Sequence, residues 1–303
     1  MSASLPVARP ANLTISMTSI NYRPGTHRFL YREQGIAYVV QSHGSVLDAL
    51  HYAEKCKAWP RHLCSSLRTD SAAFHGTPDW PTALDLARFG WPEGRTLLRK
   101  ASVTMPTAAL QERVVQWDVA GTYPDVARAS AGAPDCMMAD QPVEARPSQA
   151  VRVVVSIATP WTTSLAEFVN RGAAILSAVE AAEAAGLRVE VVAEETATLQ
   201  GNSFSASILL KSAGHPADRD TLAFFLIHPS ALRRVFFALL ETEPHLAHFS
   251  SCYGVPQPQP AALRPPGAVY LPNFHTGQYT SPVEALKRVK IAFEDAGCSI
   301  KYE

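Results

Sequence analysis

The chain lacks the long apolar runs and the cysteine patterns that mark several large protein classes. No apolar stretch in its 303 residues approaches the ~18 residues that a membrane-spanning helix needs. The five cysteines are scattered, odd in number and form no CxxC pair, which argues against a disulfide framework or a structural zinc site. The start of the chain lacks a charged segment followed by a continuous apolar one. We therefore expect no secretory signal and a reducing cytoplasm.

The chain also lacks the short motifs of common nucleotide-dependent and nucleophilic enzymes. It contains no GxxxxGK[ST] phosphate loop, no GxGxxG at the start of a helix and no GxSxG elbow. These absences weigh against nucleotide hydrolysis, dinucleotide chemistry and serine hydrolysis. We expect no cofactor, no bound metal and no catalytic residues, and a non-enzymatic role is the favoured interpretation.

Charge has no overall bias, because 27 Lys and Arg balance 27 Asp and Glu. Its distribution is uneven, since residues 1–68 carry eight basic and three acidic side chains. A mildly basic segment of this kind can contact phosphates, so one hypothesis is that nucleic acid binds there. The basic residues that would make those contacts are Arg23, Arg28, Arg32, Lys55, Lys57 and Arg61.

The composition that is present is that of a folded protein, with 47% hydrophobic and 18% charged residues over a length that suits two domains. Residues 139–149 are polar, contain two prolines and show no periodicity, which is typical of a linker. We predict a mainly helical N-terminal domain over residues 1–140, with a short basic β segment at its start. An α/β domain over residues 148–303 is predicted to follow.

The C-terminal half shows alternating strand and helix patterns. A β-branched run from Val151 is typical of a strand buried on both faces, and a helical stripe of apolar residues follows it. The next two strands are joined by the short turn LQGNS, so one of them must run antiparallel. We expect a mainly parallel, Rossmann-like sheet with one antiparallel strand and helices on both faces. This topology resembles that of the von Willebrand factor A-type domain.

The turn after the first strand of that predicted sheet is rich in hydroxyl groups. A-type domains hold a divalent cation there with an Asp-x-Ser-x-Ser turn, because cations of this kind prefer carboxylate oxygens. Here the turn SIATPWTTS offers Ser156, Thr159 and Thr162 but no carboxylate, so no metal site is expected. The hydroxyls could still bind a ligand at this edge of the sheet. The alternative is that they cap the following helix.

Two adjacent arginines, Arg233 and Arg234, lie within an apolar helical segment. Neighbouring residues on a helix point about 100° apart, so the two could flank an apolar stripe and bind a phosphate or the carboxylates of a partner. The alternative is that both are surface side chains that snorkel or form salt bridges.

The densest stretch of unusual residues is WDVAGTYPDVARASAGAPDCMM, residues 117–138. Turn and cap chemistry explains its glycines and prolines. Asp118, Asp125 and Asp135 could ligate a cation, bind a ligand or serve acid–base chemistry. The alternative is that each aspartate caps a turn or a helix. We interpret the stretch as a structural joint at which a partner could bind.

Four stretches occur in an order that resembles a family of unknown function, encoded largely by bacteriophages and prophages. They are DWPTALDLARFGWPEG, DVAGTYPDVARASAGAPDCM, NRGAAILSAVEAAEAAGLRVEV and FFLIHPSALRRVFFALLE. The resemblance covers about residues 75–245 and implies a phage-associated protein in a bacterial cytoplasm, without an established activity. The leading hypothesis is a non-catalytic protein that binds a protein or nucleoprotein partner. Nucleic-acid binding by the basic segment and an enzyme using the three aspartates are the alternatives.

Overall fold

The computed structural model describes residues 25–33, 36–55, 65–69, 72–102, 115–121, 123–140, 150–199, 202–243, 264 and 267–298. The α-helices are α1 (Val46–Ala53), α2 (Ala72–His75), α3 (Trp80–Phe89), α4 (Pro92–Ala101), α5 (Val126–Ser130), α6 (Leu165–Ala184), α7 (Arg219–Ile227), α8 (Phe237–Glu241) and α9 (Pro282–Asp295). A 3-10 turn (Ser65–Leu67) precedes α2, and a π-helix (Ala231–Phe236) leads into α8.

Within the described residues, the strands form two separate sheets. The strands are β1 (Thr26–Glu33), β2 (Ile36–His43), β3 (Val115–Asp118), β4 (Tyr123–Pro124), β5 (Met137–Asp140), β6 (Ala150–Ser156), β7 (Arg188–Leu199), β8 (Asn202–Lys211) and β9 (Val269–Leu271). The large sheet has the order β1-β2-β8-β7-β6-β9, and the small antiparallel sheet has the order β3-β5-β4.

The expected fold class is wrong in its division into a helical half and a mainly parallel sheet. The large sheet is mixed: β1–β2 and β7–β8 pair antiparallel, whereas β2–β8, β6–β7 and β6–β9 pair parallel. Two of its strands come from the N-terminal half, and three further strands of that half build the small sheet. Nothing in this arrangement confirms the resemblance to the A-type domain, because β2 and β1 extend the sheet beyond β8. A local sequence pattern indicates a strand but not its partner, and β2 pairs with a strand about 165 residues away.

Several helices begin at a residue whose side chain caps the first turn. Ser45 accepts a hydrogen bond from the Asp48 amide, and Ser281 accepts one from the Glu284 amide. The Glu284 carboxylate forms an ion pair with Arg288. α6 begins with a complete capping box, because Ser164 and Glu167 each accept from the backbone amide of the other.

The hydrophobic core lies against one face of the large sheet. One cluster joins β6, β7 and β9 to α4, α6, α7 and α9, and a second joins β2, β7 and β8 to α1, α3, α8 and the π-helix. Their sheet residues all alternate onto the same face, for example Val153, Val191 and Phe204. The opposite face therefore contributes to neither cluster.

One sequence expectation falls largely outside the described residues. The predicted linker, 139–149, is described only at its first two positions. Among the described residues, no single helix is long and apolar enough to cross a membrane. The one helix pair that passes on length and composition, Arg219–Ile227 with Ala231–Glu241, is bent by 76°.

Candidate functional site

The small sheet presents a row of large side chains on one face. Met138 on the central strand β5 is the direct cross-strand partner of Trp117 on β3 and of Tyr123 on β4. Direct partners in a sheet project to the same side, so these three side chains are neighbours. The exposed fractions are 38% for Trp117 and 63% for Tyr123, which are large values for aromatic residues.

An arginine completes this surface. The guanidinium carbon of Arg128, on α5, lies 5.0 Å from the centre of the Trp117 ring, within cation–π range. Its NH2 nitrogen lies 2.7 Å from Asp135 Oδ2, so the arginine is held in place by an ion pair. Val119 and Val126, both more than 70% exposed, lie nearby in the chain. We call Trp117, Tyr123, Arg128 and Met138 the aromatic patch.

The three candidate aspartates of this stretch are used locally. Asp118 Oδ1 accepts from the Val119 amide at 2.6 Å, and Asp125 caps α5 by accepting from the amides of Ala127 and Arg128. The hydrogen bond from Arg128 lowers the pKa of Asp135. Asp125 is therefore a helix cap, as the capping alternative expects, whereas Asp135 forms an ion pair with Arg128.

The hydroxyls of the loop after β6 are not gathered into one cluster. Ser156 is the last residue of β6 and is buried, Thr159 is buried with an unpartnered Oγ1, and Thr162 Oγ1 lies 2.9 Å from Thr276 Oγ1 at the surface. Ser164, rather than any of these three residues, caps the start of α6. Trp161, in the same loop, is 75% exposed.

Arg233 and Arg234 lie in the π-helix, are buried, and donate hydrogen bonds to backbone carbonyls of other segments. Arg233 NH1 donates to the carbonyl oxygen of Phe74 at 2.5 Å and lies over its ring. Arg234 NH1 donates to the carbonyls of Ser66 and Arg68, and its NH2 to that of Thr77. Burial lowers the pKa of Arg233 to about 10. The hydrogen bonds of both guanidinium groups thus go to backbone carbonyls of the same chain.

The basic residues of the nucleic-acid hypothesis are only partly described. Arg28 makes a bidentate ion pair with Glu243, at 2.8 and 2.6 Å, so its charge is neutralised inside the protein. Lys55 Nζ lies 3.9 Å from the centre of the Tyr52 ring. Arg32 lies in β1 without a described side chain, and Arg23, Lys57 and Arg61 lie outside the described residues.

Sequence reasoning missed a hydroxyl-rich row on the face of the large sheet that lies away from the core. Ser42, Ser207, Glu194 and Ser156 are consecutive cross-strand partners on β2, β8, β7 and β6. The sheet therefore places a carboxyl group, that of Glu194 on the neighbouring strand, beside Ser156, although the turn after β6 itself contains none. The period-two alternation of side chains within β7 and β8 indicates which residues share a face of each strand. It does not indicate which four strands pair with one another.

Glu194 is the titratable centre of this face. Its Oε1 accepts hydrogen bonds from Thr196 Oγ1 and Ser205 Oγ, each at 3.1 Å. Burial raises the pKa of Glu194 to about 7, and these two hydrogen bonds oppose that rise. Ser203 Oγ, on the same face of β8, is buried without a hydrogen-bond partner. We call Ser42, Ser156, Glu194, Thr196, Ser203, Ser205 and Ser207 the hydroxyl face.

The next residue, Glu195, lies on the core side of the same strand. It shares a cross-strand row with Ala206, Gln41 and Arg28, and neither of its carboxyl oxygens has a hydrogen-bond partner. Burial, with a smaller contribution from Glu241, raises the pKa of Glu195 to about 8. Within the part of the chain that the structure describes, no group of His, Cys, Asp and Glu is arranged to hold a metal ion.

Comparison with known proteins gives a family and no closer relative. No curated protein and no solved structure matches the chain significantly. Residues 31–298 match the model of a domain of unknown function, DUF7192, so the chain belongs to that family.

Proposed function

We propose that this member of the DUF7192 family is a non-catalytic binding protein that engages a protein partner through the aromatic patch. The observation that carries the proposal is the exposed cross-strand row of Trp117, Met138 and Tyr123, with Arg128 held over the indole. Trp, Tyr, Met and Arg are the residue types enriched at the centres of protein interfaces. Exposed clusters of large apolar side chains are uncommon on surfaces without a partner.

Charge around the patch favours a protein over a nucleic acid. Arg128, the cation of the patch, is paired with Asp135, and the nearby carboxylates Asp118 and Asp125 would repel phosphates. The pairing of Arg28 with Glu243 further reduces support for nucleic-acid binding by the basic segment. The resemblance of the ordered sequence motifs to a phage-associated family extends the proposal to a phage-associated role in the bacterial cytoplasm.

The proposal is tested by placing a photo-crosslinking amino acid at Tyr123 and, as a matched control, at Phe89, which is 73% exposed at the end of α3. The crosslinked host or phage protein is identified and its affinity measured by calorimetry. We expect crosslinking from position 123 only. We expect Trp117→Ala to weaken binding by about tenfold or more, as truncation of an interface anchor does, and Phe89→Ala to leave it unchanged.

Two outcomes would contradict the proposal. One is a partner whose affinity is the same for wild type and Trp117→Ala. The other is concentration-dependent dimerisation that Trp117→Ala abolishes, because the patch would then be a contact between two copies of this chain.

A further inference from the structure

The two edges of the small sheet differ in what they offer to another strand. β5 is the central strand, so β3 and β4 are both edge strands within the described residues. β4 is two residues long and contains Pro124, which has no amide hydrogen to donate. β3, with the sequence VQWD, contains neither proline nor lysine, the residues that commonly protect an edge strand from pairing. An additional strand is therefore better accommodated at β3 than at β4.

The pairing of β4 with β5 fixes the direction of the backbone groups of the central strand. The amide of Asp125 donates to the Cys136 carbonyl at 2.7 Å. In an antiparallel ladder such a bond flanks a pair that is not itself hydrogen-bonded, here Pro124 with Met137. The two kinds of pair alternate along the ladder. The amide and carbonyl of Met138, the next residue of β5, therefore point toward β4.

The backbone groups of Trp117 consequently point to the free edge of β3. Trp117 is the direct partner of Met138 on β5. Because the amide and carbonyl of Met138 are directed to β4, this pair is not hydrogen-bonded and the amide and carbonyl of Trp117 point away from β5. Successive residues of a strand direct these groups to alternate sides, so those of Val115 point the same way as those of Trp117. In the described part of the chain, no strand pairs with this edge.

The side chains beside this edge differ between the two faces of β3. Trp117 belongs to the aromatic patch on one face, and Asp118 projects from the other, because successive residues of a strand alternate. Asp118 Oδ1 accepts from the Val119 amide, and no cation among the described residues pairs with it. Arg128 is already paired with Asp135. The uncompensated charge at the edge is therefore negative.

This arrangement restricts the chemistry of an added strand. Residues directly opposite each other in a sheet share a face, and their side chains interact. An apolar residue opposite Trp117 extends the aromatic patch, and a basic residue opposite Asp118 forms a cross-strand ion pair. Because these two positions are adjacent on β3, the matching strand alternates between apolar and basic residues.

We propose that the free edge of β3 binds an extended segment of a partner protein as an additional antiparallel strand, whose side chains alternate between apolar and basic residues. Main-chain hydrogen bonds supply affinity in such strand addition, and the alternating side chains supply specificity. Both strand pairs of the small sheet are antiparallel, and antiparallel pairs are the commoner kind, so the added strand takes that direction. This strand addition rests on the proposed function, because the added strand is the partner segment that contacts the aromatic patch.

The test uses a fluorescein-labelled peptide, Lys-Val-Lys-Val-Lys-Val-Lys, titrated with the full chain and followed by fluorescence anisotropy. We expect saturable binding that weakens as the salt concentration rises, because salt screens the attraction between lysine and Asp118. The peptide with Glu in place of each Lys should not bind saturably. Equal affinity of the Lys and Glu peptides would overturn the proposal.

Methylation of the peptide backbone distinguishes strand addition from other modes of binding. In an antiparallel strand, the residue opposite Trp117 directs its amide and carbonyl toward β3. Methylation of the three valine amides removes those donors and should abolish binding. Methylation of three lysine amides is the matched control, because these amides point away from β3, and it should leave the affinity unchanged. Equal affinity of the valine-methylated and unmethylated peptides would overturn the proposal.

Two protein variants test the role of the charge beside the edge. Asp118→Asn removes the charge but keeps the side-chain oxygen that accepts from the Val119 amide. We expect this variant to bind the Lys peptide several-fold more weakly and with a smaller dependence on salt. Asp218→Asn is the matched control, because Asp218 also accepts from backbone amides and caps α7, outside the small sheet. Its affinity for the peptide should equal that of wild type.

The outcomes separate failure of strand addition from failure of the proposed function. If the Lys peptide does not bind, but the partner crosslinked from position 123 still requires Trp117, strand addition is wrong and the aromatic patch remains an interface. If no partner is crosslinked from position 123, both proposals are wrong. A dimer in sedimentation experiments that the Lys peptide dissociates would also overturn the proposal, because a second copy of the chain would then occupy the edge.

Discussion

Two consecutive glutamates on β7 show how one strand can bury two carboxyl groups in different environments. Glu194 faces the hydroxyl face and accepts two hydrogen bonds, whereas Glu195 faces the core with both oxygens unpartnered. Burial raises the pKa values from 4.5 to about 7 and about 8 respectively. The folded protein therefore binds protons that the unfolded chain releases, and its stability depends on pH in the direction opposite to that of a salt-bridged carboxylate.

Replacement of Glu195 with Gln tests this linkage. Because the folded-state pKa is raised, the stabilising proton is bound at low pH, and stability falls as pH rises from about 4.5 to about 8. Each such carboxyl changes the free energy of unfolding by up to about 1.4 kcal/mol per pH unit in that window. We expect Glu195→Gln to reduce the dependence of the free energy of unfolding on pH. It should also stabilise the protein at pH 8 by roughly 1–4 kcal/mol, as measured by urea unfolding.

Glu190→Gln serves as the control for this series, because Glu190 is partly exposed and ion-paired with Arg152. The dependence of its free energy of unfolding on pH should match that of wild type. If the free energy of unfolding of Glu195→Gln depended on pH as that of wild type does, Glu195 would not be the group that binds the proton on folding.

Arg171 is a buried cation that is held by carbonyl and aromatic groups. Its NH2 nitrogen donates to the carbonyl oxygens of Leu271 and Pro272, and its guanidinium lies over the rings of Phe274 and Tyr279. We expect Arg171→Met to lower the free energy of unfolding by about 2–4 kcal/mol, because it leaves buried carbonyls unpaired. Chemical denaturation measures the change.

The control for Arg171 is Arg95→Met. Arg95 is half exposed and pairs with Asp220 at 3.2 Å, so its loss should cost at most about 1 kcal/mol. Equal effects of the two substitutions would contradict the structural role of Arg171.

At the scale of elements, Gly172 sets how closely α6 approaches its neighbours. A Cβ there would lie 2.3 Å from Ile227 Cγ2 and 3.1 Å from Leu98 Cδ2. Ala is normally a better helix former than Gly by about 1 kcal/mol. Here we expect Gly172→Ala to destabilise the protein by about 1–3 kcal/mol, because α7 and α4 must move away from α6. An increase in thermal midpoint would contradict this packing.

Local elements were the most predictable part of the structure. The strand expected from Val151 is β6, and the two strands joined by the turn LQGNS, β7 and β8, pair antiparallel. The π-helix was not predicted, because the apolar periodicity of a short segment does not distinguish a π-helix from an α-helix. Arg233 and Arg234 can be buried because backbone carbonyls from distant segments of the chain accept their hydrogen bonds. A local sequence pattern does not contain that information.

At the scale of the whole molecule, the large sheet takes strands from both sides of the predicted linker. β2 pairs with β8, and Arg28 and Gln41 both bind Glu243 after α8. We therefore expect a fragment of residues 148–303 to lack cooperative unfolding, because it loses the partner strand of β8 and leaves Glu243 without these partners. Circular dichroism during thermal unfolding checks this. A cooperative transition in the fragment would support an independent C-terminal domain.

The sequence by itself determined the local elements of this protein. Apolar periodicity, caps and turn residues specify where most of its helices and strands begin and end, since those signals act within a few residues. Only the tertiary structure decided that the N-terminal hairpin joins the C-terminal strands, that Glu194 lies beside Ser156, and that Trp117 and Tyr123 share a surface. These arrangements depend on strand pairing between distant segments, which is fixed by the burial of the assembled core rather than by any local pattern.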